Sequence, residues 1–165
     1  MELYKWEGHR DQAVAALASE PNARLIFLVN GEQSALLYET QGGPPLANAD
    51  AYQVLDAVGD INIGYYAVFN NIPVTDEGRE QFETRFKNRA GKVEEEPGFA
   101  AIRVLRPLNS DTYIILTVWE NEESFTNWQQ SQAYSQAHAK RGTEEGIDQK
   151  PNIFPRPSYV TTFTR

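Results

Sequence analysis

Three side chains in this sequence have types and spacing that could serve one ligand: Asn70, Trp128 and His138. A neutral imidazole carries a lone pair at physiological pH and is the commonest side-chain ligand of a metal centre. An indole is a flat, bulky wall, and an amide donates a hydrogen bond into a pocket without delivering a proton. Each residue alone has a plainer reading. Trp128 suits a core, His138 in SQAHAKR suits a solvated surface, and Asn70-Asn71 suits a polar strand end before Pro73. The set acquires meaning only if the three converge, which depends on the elements that carry them.

Trp128 and His138 follow an apolar strand, YIILTVW, from Tyr113 to Trp119. Asn121 is a good N-cap, and Glu122 and Glu123 in the first turn complement the helix dipole. On one straight helix, ten residues at about 100° each leave the indole and the imidazole on different faces. Ser131 offers an end to one helix and a cap for a second over Gln132 to Arg141; a bend there turns both rings into one cavity. Asn70 closes another strand, in INIGYYAVFNNIPV. Alternation sets Asn70 on one face with Tyr66 and Val68, and Phe69 and Ala67 on the other.

The remaining elements follow in order. Thr75 caps a helix from Asp76 to Ala90, with Phe82 and Phe86 on one face and Gly91 as its stop. Phe99 to Pro107 is a strand and Leu108 to Asp111 a hairpin loop; Gly142 to Pro157 is a long loop before a last strand, SYVTTFT. From Ile61 the order is β-α-β-β-α-β, an α+β, ferredoxin-like antiparallel sheet with helices on one face. Its other face would be a large apolar patch unless something covers it. The front segment predicts an edge strand at Met1 to Trp6, a helix from Asp11 to Glu20, and a hairpin of Arg24 to Val29 with Ser34 to Glu39 about Asn30-Gly31. Gln41 to Pro45 is a breaker cluster, and Ala51 to Val58 is strand or short helix. The expected division is therefore residues 1–60, an α/β extension that packs on the sheet as a pseudo-second half, and residues 61–165, the ligand-binding domain.

Composition narrows the chemistry. There is no cysteine among the 165 residues, which excludes disulfides, thiolate-bound metals and cysteine nucleophiles. A formal net charge of −8 argues against general nucleic-acid binding. The first residues, MELYKWEGHRDQ, are polar, and apolar runs are strand-sized, so neither a signal peptide nor a membrane span is expected, and a cytoplasmic location is.

Four stretches, FNNIPVT, EEPGF, ILTVWENEESFTNW and the Ala-His of QAHAK, resemble as a set the antibiotic biosynthesis monooxygenase superfamily. Within it they are similar to the IsdG-type heme-degrading monooxygenases, most of all their longer, HmoB-like form. The resemblance runs from Ile61 to the C-terminus and implies a dimeric-α/β-barrel type of fold. It implies His138 as axial ligand of heme iron, Asn70 as a donor on the opposite, oxygen side, and Trp128 pressing the porphyrin out of plane. Phe69, Phe86, Phe125 and Tyr134 become candidates for the apolar wall. Arg85 and Arg89, with Lys92, Lys140 and Arg141 behind them, become candidates for the propionates. The implied activity is a heme oxygenase of the staphylobilin- or biliverdin-forming type. It takes O2 and electrons from an external reductant or reductase, and releases iron and a linear tetrapyrrole. No GxGxxG motif is present, so no flavin or nicotinamide site is expected. Two further readings stand beside it. One is a cofactor-independent monooxygenase of a small aromatic or quinol, with His138 as acid/base and Asn70 as anchor. The other is a non-enzymatic heme-binding or signalling protein resembling TRAP. A monomer is expected, with a homodimer as the alternative.

Overall fold

A computed structural model describes residues 1–19, 24–87, 92–139 and 153–165; of residues 19, 92 and 132–139 it describes the backbone alone. Eight described strands close into one barrel. The first half of the chain supplies β1 (Glu2–His9), α1 (Arg10–Ser19), β2 (Ile26–Asn30), β3 (Gln33–Thr40) and β4 (Asp50–Gly59). The second supplies β5 (Tyr66–Pro73), a 3-10 turn (Asp76–Gly78) running into α2 (Arg79–Lys87), β6 (Phe99–Pro107), β7 (Thr112–Trp119), α3 (Glu122–Ala139) and β8 (Tyr159–Thr164). Around the barrel the order is β1-β3-β2-β8-β5-β7-β6-β4. Each half therefore arranges its own strands fourth-first-third-second, the ferredoxin-like order, and the first half lacks a helix between its third and fourth strands.

Strand alternation divides the side chains into an inside and an outside. One apolar cluster draws residues from all eight strands, including Leu3, Leu28, Leu37, Tyr52, Phe69, Leu105, Leu116 and Phe163, and fills the barrel. Two smaller clusters lie outside. Tyr66, Val68, Ile102, Trp119 and Phe125 pack beneath α3, with Trp128 against them. Ile72, Val74, Phe82 and Tyr113 pack beneath α2. The apolar inner face of the second half is thus covered by strands of the same chain.

The two seams between halves are unequal. β4 and β6 pair from Tyr52↔Pro107 to Gly59↔Ala101, with a bulge between Val54 and Asp56. β2 and β8 share the single pair Val29↔Thr164, aided by Asn30 Nδ2 donating to the Thr162 carbonyl at 2.9 Å. At the long seam Gly59 has φ +79°, and a Cβ there would meet the Ala100 carbonyl oxygen at 2.1 Å, so only glycine fits. Arg103 joins the halves from inside. Its Nε donates to Glu39 at 2.6 Å, its Nη1 to the Val58 carbonyl at 3.1 Å and its Nη2 to the Gly59 carbonyl at 3.0 Å.

Several expectations change. β1 is not an edge strand: it pairs with both β3 and β4. Ala51 to Val58 is strand, because it bridges β1 and β6. The hairpin turn is Gly31-Glu32, one residue later than the Asn30-Gly31 reading, since Asn30 still pairs with Gln33; Gly31 supplies the positive φ, +58°. Thr75 does cap, accepting from the Gly78 N–H at 3.1 Å, but the segment opens as a 3-10 turn before α2 begins at Arg79. Residues 88–91 and most of the loop from Gly142 lie outside the described residues. α3 runs unbroken through Ser131, so the helix break and second cap expected there do not occur. Ser131 is exposed and mid-helix serine is tolerated.

Arg103 is 6 % exposed in its side chain and Glu39 20 %, so removing one partner strands a charge. Glu39→Ala is expected to lower unfolding free energy by about 3 kcal/mol in urea titration. The paired change Glu39→Leu with Arg103→Met should cost clearly less than Glu39→Ala alone; equal losses would show that the ion pair does not hold the seam.

Candidate active site

The outer face of the second half carries a cavity of about 140 Å³. Its floor is the sheet, Val68 and Asn70 on β5, Ile115 and Thr117 on β7 and Val160 on β8, and its roof is α3, through Phe125, Trp128 and Gln129. β5 and β7 pair Val68 with Thr117 and Asn70 with Ile115, so Asn70 and Thr117 are diagonal neighbours on one face. α3 is held there because Asn121 caps it, its Oδ1 accepting from the Ser124 N–H at 2.8 Å, and because Phe125 and Trp128, at i,i+3, press on Trp119.

The polar atoms of the cavity have spare donors. Among the described residues the Asn70 side chain has no hydrogen-bond partner, while the Nδ2 of its neighbour Asn71 is engaged inside the barrel. Asn71 Nδ2 donates to the carbonyls of Phe69 at 3.1 Å and Tyr159 at 3.2 Å, and to Thr161 Oγ1 at 3.2 Å. Trp128 Nε1 is buried with no acceptor. A buried unpaired donor is costly, roughly 1–3 kcal/mol, and is often the mark of an absent partner. Thr117 accepts from Trp119 Nε1 at 2.9 Å and donates to no described atom. Around them the wall is apolar and aromatic, the common make-up of a small-molecule site.

The structure therefore brings Asn70, Trp128 and Phe125 together and separates others from them. Phe69 does not line the cavity. The two-residue repeat that turns Asn70 outward turns Phe69 inward, where it meets Phe163 edge-on at 5.6 Å and lies 4.9 Å from Lys5 Nζ. Phe86 belongs to α2 and packs on Phe82, ring centroids 5.0 Å apart. Arg85 is half-buried on α2 and does not line the cavity. His138 is on α3 by its backbone, but its side chain, like those of Tyr134 and Lys92, lies outside the described residues; so do Arg89, Lys140 and Arg141 altogether. Thr117 and Gln129 were not anticipated. Alternation from Tyr113 through Trp119 would have set Thr117 on the outer face, but nothing in the sequence marked that face of β7 as a cavity floor.

The family profile for antibiotic biosynthesis monooxygenase matches residues 65–140, which contain every cavity residue except Val160. A heme-degrading monooxygenase of Halalkalibacterium halodurans is 36% identical over 83 residues, 48% of this chain and 71% of that protein. The chain belongs to the antibiotic biosynthesis monooxygenase family. Two relatives of this family member extend into the first half. A heme-degrading monooxygenase of Listeria monocytogenes is 23% identical over 146 residues, 87% of each chain. The signal transduction protein TRAP of Staphylococcus epidermidis is 24% identical over 116 residues, 70% of each. The solved structure of a major regulator of staphylococcal pathogenesis superposes over 99% of this chain and 98% of its own, with a TM-score of 0.81 at 19% identity. That likeness shows that the fold of this family member, including its front half, is shared.

A second hollow, about 320 Å³, lies between α2 and the β4–β6 seam, lined by Leu55, Asp56, Glu83, Phe86, Lys87, Val104 and Arg106. It is larger, but two of its charged groups already satisfy each other. Arg106 donates to Glu83 at 2.9 and 2.6 Å, and the Tyr113 hydroxyl donates to Glu83 as well. The smaller cavity, with its unpaired donors, is the better candidate site.

The guanidinium of Arg106 and the phenol of Tyr113 hold the Glu83 carboxyl below the ordinary carboxylate range, against the cost of burial. A depressed folded pKa stabilises above the unfolded value, about 4.3, and that contribution is lost as pH falls through the folded value. Melting temperature should therefore fall as pH drops below about 4.3, and Glu83→Gln should flatten that decline. A Gln variant as acid-sensitive as the parent would remove Glu83 from the acid response.

Proposed function

We propose that this protein is a heme-degrading monooxygenase that binds its substrate on the outer face of the barrel, between β5–β7 and α3. The observation that carries the reading is the meeting of Asn70 and Trp128, distant in the chain, in one cavity where neither N–H donor has an acceptor among the described residues. Relatives named heme-degrading monooxygenase support it.

The residues present fit a porphyrin in their chemistry. Aromatic and branched side chains suit the macrocycle, and an amide donor above an apolar floor is the kind of distal group that decides between oxygen binding and activation. When bound, heme supplies the iron that activates O2 and also the carbon that is oxidised, with electrons from an external reductant. His138 would hold the iron through a neutral imidazole nitrogen. On an unbroken helix it follows Trp128 by about 15 Å along the axis and about 80° around it, so α3 carries two ends of the site. Trp128 would pack against the macrocycle, and Asn70 would donate to an acceptor beside it. Of the two arginines considered for the propionates, Arg85 does not line the cavity, which leaves Arg89 as the proposed partner.

The cavity of about 140 Å³ is below the roughly 300–1,000 Å³ of ordinary ligand pockets, so a macrocycle enters only if α3 lifts. Of its described side chains, Phe125 and Trp128 pack on the sheet, while Glu122, Glu123, Asn127, Gln129, Gln130 and Ser131 are exposed. The same small volume favours one other reading, a cofactor-independent monooxygenase of a single-ring aromatic or quinol, with Asn70 as anchor.

Hemin titration separates the two. The heme reading expects a Soret band in the parent protein that His138→Ala loses. Asn70→Ala is expected to keep the band while degradation under O2 and ascorbate, followed by absorbance and product mass, slows about 10²-fold, the usual cost of one positioned donor. A parent protein with no Soret band ends the heme reading; unchanged turnover in Asn70→Ala removes Asn70 from the site.

A further inference from the structure

Thr117 is buried in the cavity floor, 5 % exposed. Its hydroxyl has one donor proton and two acceptor lone pairs. The N–H of Trp119, two residues on along β7 and itself fully buried, donates to Thr117 Oγ1 at 2.9 Å. One acceptor site is therefore filled and the oxygen is fixed in place. The proton has no acceptor among the described residues, and the open direction is the cavity. Across β5, Thr117 stands opposite Val68, one diagonal step from Asn70, roughly 7–8 Å away. Among the described residues the cavity thus presents three donors without acceptors of their own, the Asn70 amide, the Thr117 hydroxyl and the Trp128 indole, and no described carboxylate lines it. Such a lining binds a group that accepts hydrogen bonds.

We propose that Thr117 is a positioning residue of the site, its oxygen locked by Trp119 so that its proton, together with the Asn70 amide, meets an oxygen-bearing or anionic group of the bound ligand. This role rests on the heme reading. Trp119 acts through Thr117 and does not touch the ligand. The buried Trp119 N–H would equally be satisfied by a threonine with no role in binding, so the test must separate positioning from packing.

The experiment uses full-length protein reconstituted with hemin, comparing the parent with Thr117→Val, which keeps the shape and loses the hydroxyl, and Thr117→Ser, which keeps the hydroxyl. Hemin affinity and melting temperature record packing. The C–O stretch of the ferrous carbonyl complex and azide affinity of the ferric form record donation to a bound ligand. Thr117→Val is expected to retain the Soret band, move the C–O stretch to higher frequency and weaken azide about fivefold, the equivalent of one neutral hydrogen bond. Thr117→Ser should restore both. If Thr117→Val does not fold, Thr117→Ala is read in the same way. A Val or Ala variant that binds hemin with the parent's C–O stretch and azide affinity overturns the role of Thr117 and leaves the heme reading intact. A parent protein that forms no Soret band overturns both.

Discussion

A closed barrel gives each strand residue two choices, inside or outside, and the alternation along β5 and β7 decides most of what this protein can do. On β5, Ala67 and Phe69 go in to the common core, and Tyr66, Val68 and Asn70 go out. On β7, Ile114, Leu116 and Val118 go in, and Tyr113, Ile115, Thr117 and Trp119 go out. A one-residue slip would exchange the two sets, moving Asn70 into the core and Phe69 into the cavity. The tight packing of the interior therefore holds the geometry of the outer site. Asn70 and Asn71 show this most sharply: adjacent and chemically identical, one is locked among backbone carbonyls and the other is left with its hydrogen bonds unmade.

Closure also lets the chain cover its own apolar sheet face. A four-stranded ferredoxin-like sheet has helices on one side and an apolar face on the other, which needs cover. Here β1 to β4 provide it, and Arg103 reaches across the interior to bind both a carboxylate and two carbonyls of that half. The first half needs no second helix for this purpose, because its contribution is the inner face. Its fourth strand enters the long seam with β6 directly after the segment where that helix would lie. The seam with β2 is much shorter. The barrel is thus firmly shut on the α2 side and lightly shut on the side where β8 borders the cavity.

Local chemistry made much of this legible. β6 matches its sequence reading to the residue, since a strand between Pro97-Gly98 and Pro107 has its limits written in turn formers. The Thr75 and Asn121 caps are short-range events that a sequence states directly. What escaped was set by distant pairing. Met1 to Trp6 looked like an edge because nothing local reveals that β3 and β4 flank it. The expected break at Ser131 came from asking two rings to share a helix face, a demand on the ligand site that the backbone does not obey. Phe69 was proposed for the cavity wall although its own parity set it on the opposite face from Asn70, and the packed barrel enforces that parity. Thr117 was overlooked because a threonine inside a β-branched strand is ordinary until its oxygen is found occupied and its proton free.

The balance of forces at the cavity is uneven in a way that bears on its use. Its floor belongs to two central strands whose other face is the barrel core, so it cannot move without loosening that core. Its roof is a helix that, among the described side chains, meets the sheet through Phe125 and Trp128. Burying Phe125 and Trp128 is worth a few kcal/mol, but the unpaired Trp128 N–H gives part of that back. A ligand that slid between floor and roof would forfeit part of that contact and gain three hydrogen-bond donors with a ready apolar surface. The floor that carries Asn70 and Thr117 is thus held by the core behind it, and the described part of the roof by Phe125 and Trp128.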